Sequence, residues 1–127
     1  MSYANPLLIK SFAAGAATSP FRIVKFGADD RHVIQATAAT DGLLGVTNEL
    51  PANAAEQLAD VILQGIAEVE LGGTVALTDK VTADSVGRGV AAAPATGVNN
   101  RVIGLPLIAG VSGDIIPVLL AQSVLQG

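Results

Sequence analysis

Apolar and polar positions alternate along Ala59–Leu71. The odd positions Ala59, Val61, Leu63, Gly65, Ala67, Val69 and Leu71 are apolar or glycine, while Asp60, Gln64, Glu68 and Glu70 fall between them. A two-residue period sends successive side chains to opposite faces of a sheet, so the segment is predicted to be one long strand, or two joined at Gly65, with one face buried. A glycine inside such a pattern marks a bulge or bend. Gly72-Gly73 supplies backbone freedom for a reversal, and the alternation restarts in Thr74-Val75-Ala76-Leu77, which predicts a hairpin over Ile66–Leu77.

The remaining pattern consists of short strands between turn residues. Leu7–Phe12 is an apolar run interrupted by Lys10, Phe21–Phe26 and Val33–Thr37 form a hairpin through the polar connection Gly27–His32, and Leu43–Thr47 is a short strand. Asn48–Gln57 leaves two readings open: a single helical turn begun by Pro51, or a loop. Thr78–Gly89 is turn chemistry around two very short strand pieces, with Asp79 and Asp84 suited to hydrogen-bonding their own downstream backbone. Arg101–Ala109 and Ile115–Ala121 form the last pair, joined by Gly110–Asp114. Proline has no N–H for a ladder bond, so Pro106 and Pro117 are expected at edges, bulges or strand ends. Many short strands and no long 3.6-residue period predict an all-β fold, a small β-barrel or jelly-roll-like sandwich with an extended N-terminal arm.

Composition narrows the function. With 127 residues, the chain is expected to be a single domain over 1–127, of which 1–12 form the arm or first strand. Half of the residues are hydrophobic but only 3% are aromatic, so the core must be built from Ala, Val, Ile and Leu. Such side chains bury little area each, and the mean hydropathy of +0.54 is high, so self-association is expected to cover apolar surface. A formal charge of −4 with scattered Lys and Arg disfavours nucleic-acid binding. The absence of cysteine removes disulfides and thiolate metal sites. The first residues lack the pattern of a signal peptide, and Val102–Val111 and Ile115–Ala121 fall short of the ~20 residues of a spanning helix, so synthesis in the cytoplasm and no membrane partner are expected.

The candidate chemistry is sparse. His32, the sole histidine, ends a polar turn without Cys or carboxylate partners at ligand spacing, and reads as a surface turn residue. Glu68 and Glu70 share a strand face, but without an aromatic platform for a sugar they read as a solvated or interface face. Asp79, Thr82 and Asp84 lack the Asp/Asn series and closing Glu of a calcium loop, so turn capping is the simpler reading. Gly110–Asp114 has its second glycine misplaced for a nucleophile elbow, and Gly87-Arg88-Gly89 lacks the Lys-Ser/Thr of a phosphate loop. Arg88 and Arg101 are candidates for pairing with carboxylates across an interface. These readings predict a protein that is not an enzyme and uses neither metal nor cofactor.

Gly72–Arg88 reads G-G-x-V-x-x-T-D-x-V-T-x-D-x-x-G-R. It resembles the G-G-x-V-x-x-G-D-x-V-T-x-D-x-x-G-R core of the tailed-phage capsid decoration, or cement, proteins, with Thr78 where that pattern has Gly. The resemblance extends to Asn5–Phe12, Ala14-Gly15-Ala16, Arg22–Lys25, Leu44-Gly45-Val46, Ile103-Gly104 and Leu119-Leu120-Ala121, covering nearly the whole chain. It implies a structural virion protein on the capsid exterior that bridges major capsid protein subunits and works as a homodimer or homotrimer. A virion-displayed glycan- or receptor-binding β module is the alternative within the same fold class, and the scarcity of Trp and Tyr counts against it. The candidate contact residues are Pro6, Leu7, Leu8, Ile9, Lys10 and Phe12. They lie in an arm, Met1–Phe12, that reaches up to ~40 Å when extended. That arm either reaches a neighbour or forms the first strand of its own barrel.

Overall fold

Nine strands follow one another in the structure, a computed structural model that describes residues 4–127. They are β1 (Asn5–Ala14), β2 (Ile23–Phe26), β3 (His32–Gln35), β4 (Leu43–Thr47), β5 (Leu58–Glu70), β6 (Val81–Ala83), β7 (Gly89–Ala91), β8 (Asn100–Pro106) and β9 (Ile115–Leu125), with no helix among the described residues. Met1–Tyr3, the beginning of the predicted arm, lie outside the described residues. The strand order is β1-β3-β2-β4-β5-β9-β8-β6-β7, and β1 also pairs with β5. That second pairing closes the first five strands into a ring, from which the other four extend as a flap.

The long alternating segment holds both parts together. One edge of β5 pairs antiparallel with β1 over Leu58–Ile66. Its other edge pairs first with β4, at Val61 and Ile62, and then with Ile115–Leu119 of β9. Two cores result. Phe12, Ala14, Val24, Val33, Ala52, Ala59 and Val61 form the first, with Leu44 and Leu63 against it. The second is larger and includes Ile23, Val46, Ile62, Ala67, Val69, Leu71, Ile103, Ile116 and Val118. Each fully buried Val or Ile contributes ~1.5–3 kcal/mol, so a core with little aromatic content depends on many such residues on both sheet faces.

Gly65 carries the predicted irregularity. It adopts φ 103°, in the left-handed region that L side chains rarely enter. β1 and β5 shift register twice beside it, between Pro6 and Leu8 and between Leu8 and Ile9. A bulge inserts an extra residue and reverses which positions point to a given face. Ile62 therefore shares the larger core with Ala67 and Val69, although one number is even and the others odd.

The hairpin predicted over Ile66–Leu77 does not form. Gly72-Gly73 bends the chain, but the two sides do not pair with each other: Leu71 makes an isolated bridge with Gly89 and Val75 one with Gly110. Val75 is buried whereas Leu77 is exposed, and the Asp79 carboxylate accepts the Ala76 N–H at 2.8 Å, turning the segment. β9 takes the place of the missing hairpin strand because it sets Val118 and Ile116 beside Ala67 and Val69, a buried apolar match that Thr74–Leu77 cannot offer.

The other elements follow the sequence pattern closely. β2 and β3 form the predicted antiparallel pair, and β8 pairs with β9. Asn48–Gln57 is a loop, tied down by a bridge from Ala52 to Thr18. Pro106 ends β8, and Pro117 lies inside β9, where its carbonyl accepts the Leu107 N–H at 3.0 Å. The return bond of that pair is the one proline cannot donate, and it falls where the neighbouring strand has already ended.

Candidate functional site

β1 has one edge occupied and one largely open. Ala14 N–H donates to Gln57 C=O on the β5 side, whereas Ala13 N–H donates to Arg31 C=O and Gly15 N–H to Val33 C=O on the other side. Backbone groups alternate sides along a strand, so the N–H and C=O of Ile9 and Ser11 point away from β5, like those of Ala13. β3 covers this second edge only at Ala13 and Ala14. An uncovered edge is a template for another strand, and proteins blunt such edges with proline, lysine and bulges. β1 has Pro6, Lys10 and two register shifts, which leaves Ile9–Phe12 as its regular stretch.

The predicted contact residues divide on this edge. Leu7 is 79% exposed and Leu8 and Ile9 are each 47% exposed, far more than aliphatic side chains with a place in a core. Pro6 and Lys10 are exposed beside them. Phe12 differs from these five. It is buried in the first core and meets Phe26 edge-on, with ring centroids 5.9 Å apart. Its ring supports the Lys10 ammonium, 5.6 Å from the centroid, within reach of a cation–π attraction.

Where β3 begins, a cleft of about 390 Å³ lies against the open edge, lined by Lys10, Ser11, Phe12, Ala13, Asp30 and Arg31. The Ser11 hydroxyl donates to Asp60 across the strand pair at 2.6 Å. Lys10 and Arg31 form no ion pair among the described residues. Arg22, Lys25 and Arg88, by contrast, are paired with Glu70, Asp41 and Asp84. The cleft thus places two cations, with the Asp30 carboxylate, beside the open strand edge.

On the far side of the same turn lies a charged cluster. His32 Nδ1 is 2.7 Å from Asp29 Oδ1, and Nε2 is 2.9 Å from Glu56 Oε1. The Asp29 oxygen also accepts the N–H groups of Arg31 and His32. Hydrogen bonding to Asp29, and then to Glu56, raises the His32 pKa above its usual 6.5. The same His32 contact, followed by the Arg31 N–H, lowers Asp29 below its usual 3.8. His32 was expected to be a plain turn residue. Sequence spacing gave no hint of its contact with Glu56, which arrives from a different loop.

The other candidates resolve into structure. Asp84 accepts the N–H groups of Val86 and Arg88 and pairs with the Arg88 guanidinium, so the cap reading holds and the partner of Arg88 lies within the chain. Glu70, read as part of a solvated or interface face, is tied to Arg22 at 3.1 Å. Arg101 lines a smaller cleft with Leu43 and Gln122. Among the described residues no group of three or more acidic or histidine side chains is placed to hold a metal ion, and no helix is long and apolar enough to cross a membrane.

A partly closed ring of strands with a four-strand flap defines an all-β protein. The same fold occurs in a solved structure, the head fiber gp8.5 N base of bacteriophage phi29. The two superpose with a TM-score of 0.68 over 94% of this chain and 98% of that one, at 13% sequence identity. No family model matches the sequence, and no curated protein matches it.

Proposed function

We propose that this chain is a structural protein of a phage head, held on the outside of the capsid, where it stabilises the shell by bridging major capsid protein subunits. The observation that carries the reading is the fold shared with a phage head fiber base across nearly the full length of both chains. The tailed-phage decoration pattern in Gly72–Arg88 supports it independently, with no alignment to that structure required. The role is structural and not catalytic, and it calls for neither nucleic acid nor membrane.

The contact surface in this proposal is the open edge of β1. Leu7, Leu8 and Ile9 supply apolar area, and the outward N–H and C=O groups of Ile9 and Ser11 supply main-chain pairing to an added strand. Lys10 and its neighbours set the register of that pairing. The chain acts as a homodimer or homotrimer, so several weak edges engage the shell together and avidity supplies the grip.

Imaging heads purified without this protein, then mixed with wild-type chain or with Leu7→Asp, tests the proposal. Leu7 is exposed, so the variant should fold normally. The wild type should appear as ordered density outside the shell, and the variant should lose at least tenfold in occupancy. No binding by the wild type would overturn the head assignment. Unchanged binding by Leu7→Asp would remove β1 from the contact. Binding of the purified chain to a defined glycan, without binding to heads, would favour the adhesion alternative.

A further inference from the structure

We propose that His32 is a proton-operated latch that ties the β2–β3 turn to the β4–β5 loop through Glu56 and thereby fixes the turn that walls the cleft at the end of β1. The latch rests on the docking reading for its use, but its chemistry stands on the cluster itself.

The geometry demands a particular protonation state. Both imidazole nitrogens lie within hydrogen-bonding distance of carboxylate oxygens, Nδ1 of Asp29 and Nε2 of Glu56. An ionised carboxylate only accepts hydrogen bonds, and a neutral imidazole has one N–H to give. Both contacts are satisfied together only by the imidazolium. Loss of a proton turns a nitrogen lone pair toward a carboxylate and breaks one of the two.

The contact that breaks is the one to Glu56. Asp29 is fixed from three directions, by the Arg31 and His32 N–H groups and by the imidazole. The Glu56 side chain is 75% exposed and free to swing into water. Neutral His32 therefore keeps Nδ1–H on Asp29 and releases Glu56. Of the elements packed around the imidazole, the β2–β3 turn contributes Asp29, with Arg31 acting on Asp29 from the same turn, and the β4–β5 loop contributes Glu56. Gly15, just after β1, carries no charge, and the uncharged Gly27, Ala28 and Ile34 complete the lining of a cavity of about 310 Å³.

Release has a local consequence. Glu56 has a left-handed backbone, φ 72°, an uncommon conformation for a residue with a side chain, and its N–H donates to Ala14 C=O at 2.8 Å. The turn on the other side of the latch carries Asp30 and Arg31 into the cleft, and Arg31 C=O accepts the Ala13 N–H. Latched, the β4–β5 loop and the turn brace each other across the end of β1. Unlatched, the turn keeps its Asp29 bonds and the loop its bonds to Ala14 and Thr18, but the direct tie between them is gone and the cleft wall loosens. Exposed charges of this kind are screened by salt, so the effect is strongest at low ionic strength.

The test reads the latch without any capsid. The His32 ring is titrated by NMR in wild type and in Glu56→Gln, and amide exchange is followed at Ala13, Gly15 and Glu56 across the same pH range, corrected for intrinsic exchange. The titration midpoint should fall in Glu56→Gln. Wild-type protection at the three amides should drop severalfold as pH rises through that midpoint, and the step should vanish in Glu56→Gln and in His32→Gln. A midpoint unmoved by Glu56→Gln, or a protection profile without a step in wild type, would overturn the latch. Head binding enters neither readout, so failure of the docking proposal leaves this result intact, and the reverse also holds.

Discussion

Val61 and Val69 lie eight residues apart on one strand and would share a face if β5 were regular, yet Val61 belongs to the first core and Val69 to the larger one. The bulge around Gly65 separates them. β5 can therefore serve as a wall of the ring along its first half and as the root of the flap along its second. Gly65 at φ 103° is the hinge point of that change.

Replacing Gly65 by Ala should weaken the fold. A Cβ there would stand 2.6 Å from Asn5 O and Leu7 N, both backbone atoms that cannot move aside as a side chain can. Left-handed backbone alone costs a residue with a side chain roughly 1–3 kcal/mol, and the clash adds to that. Urea denaturation should show the loss as a lower midpoint. A change of under ~0.5 kcal/mol would mean that the strand passes Gly65 without the described geometry.

Substitutions on β5 should divide by core and surface. Val69→Asp and Val61→Asp each bury an unpaired carboxylate at a site with no exposure, and each should cost several kcal/mol, enough to unfold a marginal domain. Gln64→Asp is exposed and should stay within ~0.5 kcal/mol. Comparable thermal midpoints for Val61→Asp and Gln64→Asp would contradict the two-core arrangement.

Arg22 should matter more than its place outside the strands suggests. Its Nη1 donates to Val86 C=O and its Nη2 to Glu70, both at 3.1 Å, joining the turn before β2 to the β6–β7 connection and to the end of β5. Arg22→Ala removes both bonds and should cost about 1–3 kcal/mol. Glu70→Gln retains an acceptor and should cost less. The opposite order in equilibrium denaturation would exclude Arg22 as the joint between these segments.

Stability should follow pH along two separate limbs. His32 has its pKa raised, so its contribution is complete below about 6.5 and is lost as pH rises through the folded value. Asp29 is lowered. Burial pushes Asp41 up, but the Thr37 N–H, the Lys25 ammonium and the Thr37 hydroxyl outweigh it and hold that carboxyl below its usual 3.8. Their contributions are present above that value and are lost as pH falls through the folded ones. Thermal midpoints should therefore be highest in mildly acidic buffer. His32→Gln should flatten the alkaline limb and Asp41→Asn should reduce the acid limb, and a wild-type profile rising steadily from pH 5 to 8 would contradict the His32 assignment.

The sequence was most legible where segments close in the chain pair with each other across turn residues. β4 matches its predicted bounds, and the β2–β3 and β8–β9 pairs follow from runs of aliphatic residues separated by turn residues. The alternation over Ala59–Leu71 indicated one long strand, or two joined at Gly65, with one face buried; the structure has a single strand, irregular at Gly65 and buried on both faces at Val61 and Ile62. The alternation could not indicate the change of core, because a period of two does not record which of two buried faces a residue meets. The false hairpin over Ile66–Leu77 arose because Gly72-Gly73 bends the chain, whereas the true partner, Ile115–Leu119, is distant in sequence and is selected by packing. The site showed the same limit. The apolar edge at Leu7–Ile9 was visible as a pattern, but the inward turn of Phe12 and the meeting of His32 with Glu56 depend on how separate loops converge.

The ring closure at β1 also sets a schedule for the nascent chain. β1 leaves the ribosome first but finds its main partner only when Leu58–Ile66 has emerged, and the outer edge of Ile66–Glu70 then waits for β9. At roughly 5–20 residues per second, that second interval lasts several seconds. β proteins with distant pairings fold in about milliseconds to seconds, so translation, and not diffusion of the chain, paces assembly here. During that time a half-finished β5 presents unsatisfied backbone and bare aliphatic side chains, which makes the interval before the last strand arrives the period of greatest exposure to chaperones and to aggregation.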